Sequence, residues 1–261
     1  MTETQKEENS LLYKICLSLE PHRSFLAVGP KVIPLNYIIN TQKAGTIIVM
    51  FILMLYYNNF SLGAWLYLSL HGTYGIVWIL KDMIFPDKSF QAKVTIPAAV
   101  ITGGLLLLYW VIGYLMMCGE GEQNPSPRKI FGCFSTFTIG LFLMVCTDLQ
   151  KFITLKLKKG LIDEYFLAKT RNTNYLGEIL VYLSFAMCTN KLIGYVILIC
   201  IWVTVFGSRI YLKEISLMKK EGYKRYKNNS YLILFKFVDN DYVNLAIYGV
   251  MIAFIIACYI I

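Results

Sequence analysis

Apolar residues run along this chain in long blocks, not in the strict alternation of strands or the three-to-four spacing of water-facing helices. Ala44–Tyr57 with its flanks is the first block and Ser61–Leu80 the second, parted by an Asn58–Asn59 turn. Thr95–Met117, Lys129–Cys146, Tyr175–Cys188, Leu192–Phe206 and Tyr242–Ile261 follow, with the polar step Thr189–Asn190–Lys191 between the fifth and sixth. A bilayer-crossing helix takes about 20 mostly apolar residues, within a range of roughly 17–25. The pattern therefore predicts an all-α, polytopic integral membrane helix bundle of about seven transmembrane helices. The fifth and sixth blocks are short enough to be tilted or partly re-entrant.

The polar segments between the blocks are sided. Segments 1–43, 81–94, 148–174 and 207–241 hold 22 of the 25 Lys and Arg residues, and the opposite set holds Arg128, Lys129 and Lys191. Positive charge stays on the side from which a helix inserts, so the four basic segments belong on the cytoplasmic side, or on the matrix side in a mitochondrion. An intracellular membrane is expected, either the endoplasmic reticulum or the mitochondrial inner membrane. Glu3, Glu7, Glu8 and Glu20 set the first 43 residues apart from both a signal peptide and an acid-poor transit peptide.

Composition agrees. Of 261 residues 57% are hydrophobic and 16% charged, with a mean hydropathy of +0.55; soluble domains carry about 25% charged residues. The net charge of +9 reports topology, and no basic soluble surface for nucleic acid is evident. Seven cysteines occur without a C-x-x-C, mostly inside apolar blocks, and the two histidines, His22 and His71, are far apart. No metal site is predicted.

Three polar groups of residues are candidates for chemistry. Asp148 leaves the fourth block with Lys151 about one helical turn later, and Lys156, Lys158 and Lys159 follow as a cluster suited to anionic headgroups. Arg171, Asn174 and Glu178 are spaced by three and four, so a helix begun early enough puts guanidinium, amide and carboxylate on one face. Together they suit a nucleotide's phosphates, ribose or amide, or else form a helix-start cap with an interfacial ion pair. Glu178 is costly in an apolar helix unless it has a partner, expected to be Arg171 or another basic group, or a water-filled cavity. From Ser208 to Phe237 the chain is amphipathic and rich in Lys and Tyr, as suits a membrane interface.

The motifs D-L-Q-K at 148–151, K-K-G-L-I at 158–162, T-R-N-T-N-Y-L-G-E at 170–178 and K-E-I-S-L…G-Y-K-R-Y at 213–226 resemble the polytopic membrane reductase-like family allied to the steroid 5-alpha-reductases, and more distantly the isoprenylcysteine carboxyl methyltransferases. The segment from His71 to Asp82 resembles a microbial branch of the same family. The resemblance covers roughly residues 35–237 and divides the chain into a polar N-terminal arm (1–40), a reductase-like membrane domain (41–237) and an extra C-terminal helix (238–261). It implies NADPH held by Asp148, Lys151, Arg171, Asn174, Tyr175 and Glu178, with Arg209, Tyr211 and Lys213 from the later segment. The methyltransferase likeness offers S-adenosylmethionine instead. The chain departs from the family at Thr173, where Pro is usual, and carries no histidine between Gly207 and Tyr226.

Two functions follow from different classes. The first is an NAD(P)H-dependent reductase acting on a conjugated double bond of a lipid or steroid, with His71 or Tyr74 as the group that polarises the carbonyl. The second is a non-catalytic accessory subunit of a large membrane assembly, such as a mitochondrial respiratory complex. It would bind no cofactor and would meet membrane lipids and other subunits through residues 1–40 and 242–261.

Overall fold

In a computed structural model that describes residues 3–21 and 28–260, with side chains described only as far as Ala253, the chain is mostly helical. His22, Arg23 and the side chains of Cys258 and Tyr259 lie outside the described residues. Two short helices, α1 (Glu3–Glu8) and α2 (Leu11–Ser18), form the N-terminal arm. Six longer ones build the bundle: α3 (Leu35–Tyr56), α4 (Leu62–Ile84), α5 (Ile96–Met117), α6 (Pro127–Leu157), α7 (Thr173–Thr189) and α8 (Leu192–Ile201). A π-helical turn, Trp202–Phe206, carries α8 straight into α9 (Gly207–Met218), and α10 (Tyr223–Asn229) and α11 (Asp241–Ile260) end the chain. Among the described residues the only paired strands are a two-residue antiparallel pair, Ile33 opposite Val94 and Pro34 opposite Lys93, which ties the entry of α3 to the entry of α5.

Local chemistry explains the helix starts. Ser61, Thr95 and Ser126 each accept a hydrogen bond from the amide three residues on, capping α4, α5 and α6. Asn58 turns the chain with φ of 49° between α3 and α4, and Asn190 ends α7 at φ 56°, a conformation asparagine tolerates better than most residues.

Each of the seven apolar blocks lies on a helix, but length and apolarity alone qualify four helices to cross a membrane: Leu35–Tyr56, Ile96–Met117, Pro127–Leu157 and the continuous Leu192–Met218. The shortfall from seven has local causes. α4 mixes Ser69, His71, Thr73 and three glycines into its apolar run, α7 has only 17 residues, and the described apolar part of α11 runs from Asp241 to Ala253. The outer faces are apolar as lipid demands: Ile48, Ile52, Val100, Phe131, Phe134 and Val203 are all more than half exposed.

Two boundaries differ from expectation. α6 does not stop near Cys146; it runs 31 residues to Leu157, because no Gly or Pro interrupts 147–157 and its residues are mostly good helix formers. Asp148 and Lys151 therefore stand on a helix, not in a loop. Conversely, α7 starts at Thr173, too late to include Arg171, whose amide instead donates to the Tyr231 carbonyl at 2.9 Å.

Close backbone approaches set the helix spacing. The largest interface joins α6 to α7, where a Cβ on Gly177 would come within 2.5 Å of the Met144 nitrogen and one on Gly140 within 2.7 Å of the Gly177 oxygen. A Cβ on Gly75 of α4 would meet the Lys43 carbonyl of α3 at 2.2 Å. Small residues at such crossings are how membrane helices pack closely. Gly177→Ala should therefore lower stability by about 1–3 kcal/mol, the usual cost of overpacking, read as a lower melting temperature in detergent. Gly249→Ala on α11, where a Cβ meets nothing within 4 Å, should leave it unchanged or slightly higher.

Candidate functional site

A cavity of about 540 Å³ lies between the N-terminal arm, α3 to α7 and the α8–α9 helix, within the size range of small-molecule sites. One side is apolar: Ile39 of α3, Ala98, Ile101 and Leu105 of α5, and Val205 and Leu212 of the α8–α9 helix. Ile101 and Leu105 are 47% and 46% exposed, so this side runs out to the outer surface of the bundle. The other side is charged.

α7 supplies the polar face. Asn174, Tyr175 and Glu178 all line the cavity. Among the described residues their side chains make no hydrogen bond or ion pair, and each keeps part of its surface open. Glu178 thus lacks the expected bond to Arg171. Lys81, Lys43 and Arg209 are the cations whose fields reach it, opposed by Asp148.

The cations of the site are largely committed to the protein itself. Lys81 pairs with Asp148 at 2.5 Å, Lys151 with Asp87 at 2.8 Å, and Arg209 with Glu20 of the arm at 3.2 Å. Lys213 donates to the Arg171 carbonyl at 2.8 Å and to Asn172 Oδ1 at 2.9 Å. Lys43 donates to the Tyr182 hydroxyl. Its ammonium also sits 4.5 Å from the centroid of Tyr74 and 4.8 Å from that of Tyr182, so aromatic faces offset part of its burial cost.

Four of the expected site residues are not brought to the cavity. Arg171 turns away: its Nε lies 2.9 Å from Glu214, and its Nη1 donates to the Ser230 carbonyl at 2.5 Å. Its job there is to fasten the 170–173 turn to α9 and to the chain after α10. Tyr211 faces the arm, donating to Glu7 at 2.6 Å. His71 is fully buried, bonded through Nδ1 to Tyr67 at 2.9 Å and stacked on Phe185 at 4.3 Å. Tyr74 is likewise buried, edge-on against Tyr182 with ring centroids 5.5 Å apart. Asp148, Lys151, Asn174, Tyr175, Glu178, Arg209 and Lys213 do line the cavity.

Lys43, Lys81, Asp87 and Tyr182 belong to the site although sequence reasoning passed over them. Tyr182 had a signal, since it lies four residues after Glu178 and so on the same helical face. Lys43 had a weaker one, as a lone cation at the edge of the first block.

This donor set does not suit a dinucleotide. NADPH presents three phosphate groups, whereas Arg171 is outside the cavity and Lys151 and Arg209 already answer one carboxylate each. No family model, curated protein or solved structure matches the chain.

Asp87, on the loop after α4, shows how firmly these pairs are set. Burial alone would raise its carboxyl, but Lys151 and the Ser89 amide and hydroxyl outweigh that and hold it well below the usual carboxylate range. A value lower in the folded state contributes stability that is complete above about pH 4 and is lost as the pH falls further. Below pH 4 the melting temperature of the wild type should drop more steeply than that of Asp87→Asn. Arg171→Ala should cost about 3–5 kcal/mol, as expected for stranding the largely buried Glu214. It should do so without weakening any ligand of the cavity, which a melting curve paired with a binding titration would show.

Proposed function

We propose that this protein is a membrane-embedded lipid-binding subunit that keeps a reductase-like bundle without turning over NADPH. One observation carries this reading. The cavity joins an apolar wall, open to the outer surface of the bundle, to three polar side chains of α7 that make no hydrogen bond or ion pair among the described residues, while most of the cations a dinucleotide would need are already used. A lipid satisfies both sides with one molecule: a chain against Ile39, Ile101 and Leu105, and a polar head at Asn174, Tyr175 and Glu178.

The subunit half rests on the two ends of the chain. The arm is fastened to α9 by the contacts of Glu7, Glu8 and Glu20 with Tyr211, Lys219 and Arg209. No described side chain of α11 lines the cavity, and Tyr242, Leu245 and Val250 turn outward, a face suited to lipid or a neighbouring subunit. In this reading seven helices cross the bilayer, with α4 and α7 sheltered by their neighbours and so less apolar. The basic segments face the cytoplasm or the matrix, in the endoplasmic reticulum or the mitochondrial inner membrane.

Lys43 and Tyr182 favour a second reading. A phenol bonded to an ammonium at the junction of apolar and charged walls is a suitable proton source for reducing a lipid's conjugated double bond, and that is the reductase alternative. Thermal melting in detergent separates the two. A cofactor at 100 times its Kd stabilises the folded state by about 2.7 kcal/mol, so a true cofactor at millimolar concentration gives a clear shift. The expected result is no shift with NADPH, NADH or S-adenosylmethionine, together with lipid recovered by extraction of the purified protein. A rise with NADPH would overturn the subunit reading in favour of the reductase.

A further inference from the structure

The charged end of the cavity is organised as two opposed kinds of surface. On α7, Asn174 and Glu178 stand one turn apart and present an amide and a carboxylate with no protein partner among the described residues. On α9, Arg209 and Lys213 also stand one turn apart and line the same cavity. Each of these cations retains donors. Arg209 binds Glu20 through Nε alone, and a guanidinium carries four further N–H groups. Lys213 directs two bonds at the protein, leaving the third of its ammonium protons. A carboxylate accepts and cannot donate, so it calls for a donor in the ligand; the guanidinium and ammonium call for an anion.

Resting on the lipid-binding reading above, we propose that the cavity selects an aminophospholipid, a zwitterionic head whose primary ammonium meets Glu178 and Asn174 and whose single phosphate meets Arg209 and Lys213. One phosphodiester at a charge of −1 matches the donors that remain, where the three phosphates of a dinucleotide do not. The ammonium must carry protons: a choline head has the same charge but no N–H to donate to Glu178, and a glycerol head has hydroxyl donors but no positive charge. The acyl chain follows the apolar wall and leaves past Ile101 and Leu105, both about half exposed at the bundle surface. The lipid and not the free head is the ligand, because the apolar wall makes up much of the cavity's lining.

The test uses the full-length chain, purified in detergent, stripped of lipid and titrated with dioleoyl phosphatidylethanolamine, phosphatidylcholine or phosphatidylglycerol. Binding is followed by melting temperature and by native mass spectrometry. The ethanolamine lipid should bind about tenfold more tightly than either of the others. Glu178→Gln should bring it down to the level of the choline lipid while leaving phosphatidylglycerol unchanged or tighter. Glu178 makes no bond that holds the fold together, so this variant should fold, and Asn174→Ala gives a second, weaker loss of the same preference. Equal binding of all three lipids, or a preference that survives Glu178→Gln, would overturn the head-group assignment and leave the lipid-binding reading standing. No binding of any lipid would overturn both. Soluble phosphoethanolamine should give no shift; if it bound as tightly as the lipid, the apolar wall would have no role and the ligand would be the free head.

Discussion

The contact between the backbones of α6 and α7 at Gly140 and Gly177 is the constraint on which the rest of this molecule depends. Neither helix can carry a Cβ there without striking the other's main chain, so the two helices are held closer than side chains would allow. That closeness fixes the rotation of α7. Gly177 faces α6, and the neighbouring positions Asn174, Glu178 and Tyr182 are turned toward the cavity. Between lipid-solvated helices no hydrophobic driving force is available, so packing contacts of this kind contribute much of the association. The equivalent approach of Gly75 to the Lys43 carbonyl does the same for α3 and α4, and it is what carries Lys43 into the wall.

With the helices so placed, the charges sort themselves by the cost of leaving water. A charge among apolar helices must be paired or given a polar surround. Most charges of the wall are paired at short range: Lys81 with Asp148, Lys151 with Asp87, Arg209 with Glu20. Each pair joins different elements, so each also acts as a tie across the bundle. Lys43 takes the other route, with four aromatic rings around its ammonium, one of them Tyr182, to whose hydroxyl it donates. Glu178 takes neither among the described residues, and its carboxylate lines the cavity. Several residues that could meet a nucleotide's phosphates in an open pocket are here paired with other residues of the protein.

Much of the architecture was legible in the chain. Long apolar blocks specify helices because an apolar surround offers no partner for a backbone amide, and the described residues of all seven blocks lie on helices. Asn58 between the first two blocks and Asn190 between the fifth and sixth are turns for a reason visible in one residue. In the site, Asn174, Tyr175 and Glu178 were readable as a polar face because helical spacing is a local property. The end of α6 was misplaced because an amphipathic, lysine-rich stretch reads as a loop when hydrophobicity alone is followed, yet nothing in it stops the backbone hydrogen bonding.

What remained hidden was partnership. Arg171 sits in a motif that points to cofactor binding, but a chain segment some 60 residues later folds back to supply the Ser230 carbonyl, and α9 brings Glu214 to its guanidinium. His71 and Tyr74 lie on a helix in the right part of the bundle, but the rings of Phe185 and Tyr182 pack against them, and neither reaches the cavity. Sequence determined the helices and the polar stripe of α7, because hydrophobic length and the 3.6-residue period are carried by neighbours along the chain. Only the tertiary structure decided which cations were spent and which carboxylate was left open, because ion pairing depends on distances between helices that no local pattern encodes.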